Sequence, residues 1–228
     1  LFSSIHNNTH QGLASRLSYE EVRSLRDSAK LTLSTKVNYE FVQDRFRPLE
    51  RFRQVEFVRD WNIPQGESPQ NEHLGNIHWV LQRKNLGQAE YRYGNYFRGS
   101  QFQGHQHVGS LSGSRQGFRI LLRGDLMKQK SVLTRSNFLR PYAELEKQFS
   151  SLRQLTLGSR FLMEHNQLKD AATDTLMRNA FSFDALSVYL KSDPGASNHF
   201  NAEYTLRHDR AAKDNRFAQS TLGHTFSL

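Results

Sequence analysis

The chain has 228 residues, of which 36% are hydrophobic, and it carries a net charge of +9, 16 Phe, 8 Tyr and no Cys. Without cysteine there are no disulfides, thiolate metal sites or cysteine nucleophiles, and no apolar run reaches the roughly 18 residues that a membrane-spanning helix needs. A mean hydropathy of −0.72 beside so many aromatics excludes a disordered chain and suits strands with one polar and one aromatic-rich face.

Residues 1–12 are polar and read as loose. Leu13–Leu25 has two readings. Ser18-x-x-Glu21 is a capping-box pattern that would start a short helix. Alternation of Leu13, Ser15, Leu17 and Tyr19 would instead make a strand, which the β-like remainder favours. The chain thus divides into an N-terminal segment, 1–29, and a β meander over 30–228. Within Lys30–Val42, Leu31, Leu33, Thr35, Val37, Tyr39 and Phe41 share one face. Lys30, Thr32, Ser34, Lys36, Asn38 and Glu40 share the other. Soluble strands average about five or six residues, whereas a tilted bilayer-spanning strand needs roughly 9–11.

Pro48 opposes a central strand in Arg45–Arg53; the alternating Arg and Phe there suit a loop packed into a pore or over a sheet edge. Val55, Phe57 and Trp61 predict a further strand over Arg53–Asn62, and residues 64–73 read as a loop. From Gly75 onward the chain reads as hairpins. Turns are expected at Asn85-Leu86-Gly87, Gly113-Ser114, Lys128-Gln129-Lys130 and Asp193-Pro194-Gly195. Phe118, Ile120, Leu122, Gly124 and Leu126 oppose Arg119, Leu121, Arg123 and Asp125. A weaker strand, Val132–Tyr142, is expected to end at Pro141. Leu155, Leu157, Ser159, Phe161 and Met163 oppose Arg160 and Glu164. Phe200, Ala202, Tyr204 and Leu206 oppose Glu203 and Arg207, and the last strand covers Ala218–Leu228. The fold class is all-β, an antiparallel up-and-down meander of roughly twelve strands, with no crossover helix that would allow a parallel sheet.

An apolar strand face meets either a protein core or lipid. Strand length, short turns and aromatics near strand ends favour a transmembrane β-barrel, or a large part of one. On that reading Lys36, Glu40, Arg119, Arg123, Asp125, Arg160, Glu164, Glu203 and Arg207 face a polar lumen. Leu31, Leu33, Val37, Tyr39, Phe41, Phe118, Ile120, Leu122, Leu155, Leu157, Phe161, Phe200, Tyr204 and Leu206 face lipid. The terminal alternation of Ser220, Leu222, His224, Phe226 and Leu228 resembles the last strand of bacterial outer-membrane β-barrel proteins. It departs from them in ending on Leu228 and in carrying His224 within the row. The stretch Arg51-Phe-Arg-Gln-Val-Glu-Phe-Val-Arg-Asp-Trp-Asn62 is similar to large outer-membrane proteins of Bacteroidota. The resemblance implies an outer-membrane location, contact with lipid including lipopolysaccharide, and partner proteins in an outer-membrane complex. The opening on Leu1, without Met or a signal-peptide pattern, reads as a processed protein or a piece of a longer one.

Basic residues are spread along the chain, which suits a solvated face or lumen and disfavours nucleic acid as a partner. His105 and His107 lie on one strand face, two of the three or four ligands a metal site needs, so no metal and no cofactor is expected. His165 and His208 are conceivable general bases, but no G-x-S-x-G elbow marks a nucleophile. The expected role is transport, export or scaffolding, without catalysis. The alternatives are a secreted or periplasmic β-sandwich binding a polyanion and a barrel-embedded hydrolase.

Overall fold

The computed structural model describes residues 2–5, 11–26, 30–46, 61, 70–149, 155–192, 201–210 and 221–227. They form one antiparallel sheet in which every strand pairs with its neighbour in sequence. The strands are β1 (Phe2–Ile5), β2 (Gln11–Arg26), β3 (Leu31–Val42), β4 (Glu72–Arg83), β5 (Gly87–Arg98), β6 (Phe102–Arg115), β7 (Phe118–Ser131), β8 (Thr134–Phe149), β9 (Leu155–Asp170), β10 (Phe181–Lys191), β11 (Asn201–Arg210) and β12 (Thr221–Ser227). Apart from the four-residue β1 this is a meander of eleven strands, seven to sixteen residues long. No pairing between β1 and β12 occurs among the described residues, so the sheet is not seen to close.

Gln11–Arg26 is a strand, paired to β3 from Ala14 to Arg26 with a bulge between Ser24 and Arg26. Ser18 is therefore no helix cap; its hydroxyl donates to Asn38 across the pair, at 2.8 Å. The sheet runs continuously past residue 30. The expected strand Arg53–Asn62 lies outside the described residues except for Trp61, which sits in a turn. Because β3 pairs directly with β4, the 43–71 connection adds no strand between them.

Three expected boundaries move. The β6–β7 turn is Gln116-Gly117, not Gly113-Ser114. Both turn residues have positive φ, 52° and 78°, as a tight two-residue hairpin requires. The β7–β8 turn falls at Val132-Leu133, not at Lys128–Lys130, because the Ser131 hydroxyl accepts the N–H groups of Leu133 and Thr134 and ties the turn there. Pro141 does not end β8. It pairs opposite Gly124 of β7, while no pairing toward β9 occurs at Arg140 and Pro141. The missing N–H thus falls in a gap of the β8–β9 ladder. The Asp193-Pro194-Gly195 turn and Phe200 lie outside the described residues.

Register decides the faces, since paired residues point to the same side. One row runs Leu33, Leu81, Ala89, Leu111, Leu122, Ala143, Phe161, Leu186 and Leu206 from β3 to β11. The next row toward one end holds Leu31, Arg83, Gly87, Gly113, Ile120, Leu145, Ser159, Val188 and Tyr204. The opposite face carries the buried strand residues: Tyr96, Phe102, Met127 and Tyr189, but also Asp125, Gln129, Ser136, Glu146, Thr156 and Ser187. Of 24 exposed large hydrophobic residues, 18 lie on the first face; Val22 and Phe181 lie on the other, and Leu25, Leu86, Val132 and Leu133 belong to a bulged strand end or to turns. Among the described residues no second sheet covers either face, so unequal burial means curvature, with the polar face concave.

Glycines let the concave face pack closely. A Cβ on Gly158 would meet the Tyr189 ring at 2.2 Å, so Tyr189 lies across β9 only because residue 158 has no side chain. Gly109 of the outer face has nothing within 4 Å of such a Cβ. Gly158→Ala is expected to lower stability by about 1–3 kcal/mol through overpacking, and Gly109→Ala to leave it unchanged or raise it by up to about 1 kcal/mol. Thermal unfolding of the two variants in the same medium checks the contrast.

Candidate functional site

The concave face of β7–β11 concentrates charge. It carries Arg119, Arg123 and Asp125 of β7, Arg140, Glu144 and Glu146 of β8, Arg160 and Glu164 of β9, Lys191 of β10, and Glu203, Arg207 and Asp209 of β11. With Asp170 at the end of β9, six cations face seven anions, so this wall is close to neutral and the basic excess of the chain lies elsewhere.

At its centre the Tyr189 hydroxyl lies 2.7 Å from Glu144 and 2.8 Å from Glu146. One O–H donates to one carboxylate at a time, so the second needs other donors. Lys191 supplies one to Glu146 at 2.5 Å, and Arg119 a second at 3.2 Å. Glu144 accepts from Tyr142 at 2.9 Å and lies 3.7 Å from Arg160, which also reaches Glu203 at 3.6 Å. The Arg160 and Lys191 cations sit 5.3 and 5.1 Å from the centre of the Tyr189 ring. The result is a ladder of charge-assisted contacts across β7 to β11. The side chain of Glu146 is only 8% exposed, whereas Arg207 and Asp209 at the edge of the ladder are 50% and 39% exposed.

A second feature occupies the same face in β5–β7. Trp61, brought in by the 43–71 connection, is 6% exposed and packs with Tyr96, Phe102 and Met127. Its ring lies over Gly104 and beside Gly94: a Cβ on Gly104 would meet it at 2.7 Å. Two strand glycines thus form a seat for Trp61 on the concave wall.

The outer face has its own polar pattern. Tyr39 bonds His73 at 2.7 Å, Tyr91 bonds His107 at 2.8 Å, Tyr93 bonds His105 at 2.9 Å, and Tyr204 bonds His224. Each pair is diagonal across neighbouring strands. Each hydroxyl is satisfied by an imidazole, so the rings can lie on an apolar surface without unpaired polar tips.

The register sets Lys36, Glu40, Arg119, Arg123, Asp125, Arg160, Glu164, Glu203 and Arg207 on one face of the sheet. Lys36 lies 3.4 Å from Glu20, the buried Asp125 accepts from Gln106 at 3.2 Å, and Glu164 accepts from Arg140 at 3.1 Å. Glu40 and Arg123 stand on the same face of β3 and β7. Only Arg119, Arg160 and Glu203 join the Tyr189 ladder; Lys36 and Glu40 belong to a distant strand. The predicted apolar residues, Phe200 aside, take the opposite face, and Ile120, Leu157 and Tyr204 are 39%, 46% and 45% exposed. Sequence reasoning missed Tyr142, Glu144, Glu146, Tyr189, Lys191 and the seat of Trp61. The signal that was present was glycine inside strand patterns, at residues 94, 104 and 158.

The two conceivable bases are placed apart from the ladder. His165 lies 3.1 Å from the Ser182 hydroxyl on the outer face, while its neighbour Glu164 points to the inner face. His208 lies 3.7 Å from Asp184, which also accepts from Arg210. Among the described residues no group of three or more His, Cys, Asp or Glu is arranged to hold a metal ion. No family model, no curated protein and no solved structure matches this chain.

Tyr189→Phe is expected to cost about 1–2 kcal/mol, because it removes a donor shared by two carboxylates, one of them buried. Arg207→Gln is expected to stay within about 0.5 kcal/mol, its pair with Asp209 being exposed. Denaturant titration of both variants measures the difference.

Proposed function

We propose that this chain forms a large part of the wall of an outer-membrane β-barrel, its concave face lining a polar lumen that serves passage, export or the docking of partner proteins. One observation carries the reading: across β3 to β9 an exposed apolar band, with cations at both ends, lies over a concave ionic face that buries Asp125 and Glu146. In β7 the band runs from Phe118 to Leu126, nine residues. At about 3.3 Å per residue and a tilt near 40°, that is a height of roughly 23 Å, close to the ~25 Å apolar band of outer-membrane barrels. Lys128, Lys130, Arg135 and Lys169 stand beyond one edge of the band; at the other edge Arg115 and Lys147 pair with its last residue, Phe118, and Arg83 lies in the row of Ile120.

Energetics favour lipid over water on that face. Burying a side chain of this size is worth about 1.5–3 kcal/mol. Moving 18 of them, about half exposed, from water into lipid would therefore release on the order of 20 kcal/mol. That exceeds the roughly 5–15 kcal/mol by which a domain is stable. A soluble polyanion-binding sandwich would need a second sheet to cover the band, and the described strands make only one. In the lumen, the Tyr189 ladder supplies closely spaced charges of both signs, a wall suited to hydrated polar cargo rather than to one sign of ion. Partner strands, or pairing of the two sheet edges with each other, would close the wall. No catalytic step is assigned.

The test compares the two faces of one strand. Leu122→Arg, at mid-band, is expected to weaken folding into lipid vesicles by about 2–4 kcal/mol, and Arg123→Leu, one residue on, to leave it nearly unchanged. Heat-modifiable electrophoretic mobility in vesicles reads the folded fraction. Equal effects of the two substitutions, or a wild-type chain that runs as a monodisperse monomer in plain buffer, would overturn the reading.

A further inference from the structure

The row that begins at Leu31 contains a hole. Gly87 of β5 and Gly113 of β6 pair directly, side by side, between Arg83 of β4 and Ile120 of β7. Ala89, in the next row, is also small. On the outer face this leaves a groove of about 460 Å³, walled by Leu31, Leu81, Leu111, Phe118 and Ile120. Both glycines are needed for close backbone approach: a Cβ on Gly87 would meet the Ser112 carbonyl oxygen at 2.1 Å, and one on Gly113 the Leu86 carbonyl oxygen at 2.9 Å. The groove therefore follows from the way the hairpins pack and cannot be filled from its floor.

Its mouth is charged. Arg83 and Arg115 line it at the end of the apolar band. Lys147, paired to Phe118, holds its ammonium 3.9 Å from the centre of that ring. Many arginines of the concave face, such as Arg119, Arg140 and Arg160, have carboxylate partners; Arg83 and Arg115 have none among the described residues. Two free guanidinium groups above an apolar groove match a ligand with a phosphate at one end and hydrocarbon at the other.

We infer that the Gly87–Gly113 groove is a binding site for one anionic glycerophospholipid, its acyl chains against Leu31, Leu81, Leu111 and Ile120 and its phosphate between Arg83 and Arg115. The inference rests on the barrel reading above. Phospholipid, rather than the many-chained lipid A, is the occupant for two reasons. A single groove of this size holds one or two chains. It also lies at the end of the sheet closed by the short 84–86 and 116–117 turns, opposite the long 43–71 connection. In outer-membrane barrels the short turns mark the periplasmic side, where the leaflet is phospholipid.

Native mass spectrometry of the full chain, released from neutral detergent micelles doped with phosphatidylglycerol, phosphatidylcholine or lipid A, tests the site. The expected result is one retained phosphatidylglycerol in preference to phosphatidylcholine. That preference should fall about fivefold for each arginine removed in Arg83→Gln and Arg115→Gln, and lipid retention should be lost in Ala89→Trp, which fills the groove from its wall. Equal retention of phosphatidylglycerol and phosphatidylcholine, displacement by lipid A, or indifference to all three substitutions overturns the site while leaving the barrel standing. A chain that takes up no detergent at all overturns the barrel, and the site with it.

Discussion

The structure depends on one constraint, the unbroken antiparallel register from β3 to β12. Because side chains alternate with period two, a slip of one residue anywhere would move every apolar side chain of that strand to the concave face and every charge to the outer one. The rows through Leu33 and Leu31 cross nine consecutive strands without such a slip. Turns hold them there: Gln116-Gly117 with both residues at positive φ, and Ser131 accepting the N–H groups of Leu133 and Thr134. Where a residue could break the ladder, as Pro141 could, the break is absorbed on one side and the row continues.

Given that register, the inner wall must solve a packing problem unlike that of an ordinary core. Its buried groups include Glu146 and Asp125 as well as Tyr96 and Met127, and a buried carboxylate is costly unless it is paired. The answer is sharing: Tyr189 between two glutamates, Arg160 between Glu144 and Glu203, Lys191 and Arg119 on opposite sides of Glu146. Such sharing needs side chains that reach across two strands, which is why a glycine lies beneath Tyr189. The same device seats Trp61 over Gly104. In both places a missing side chain on one strand is the condition for a contact between two others.

The outer face solves the complementary problem. Its aromatic residues carry polar tips amid apolar neighbours. Diagonal Tyr–His pairs satisfy them within the surface itself. Where two glycines fall in register the same face opens into a groove instead, and Arg83 and Arg115 at its mouth have no acidic partners among the described residues. The apolar band, its charged borders and its polar pairs thus form one continuous surface whose chemistry changes with height along the strands.

Most of the architecture was legible in the chain by itself. Alternation in Lys30–Val42, Phe118–Leu126 and Leu155–Met163 assigned each residue a face, because that depends only on the pleat. The all-β meander followed from the spacing of such stretches. Turn positions were less legible. Gly113-Ser114 looks like a turn from composition, but which glycine turns and which pairs is settled by hairpin geometry and by the neighbouring strand. Nor could the chain alone join Tyr189 to Glu144 and Glu146, 45 and 43 residues earlier, bring Trp61 onto β5–β7, or set Gly87 beside Gly113. Periodicity says which way a side chain points; only the register between strands says what stands beside it.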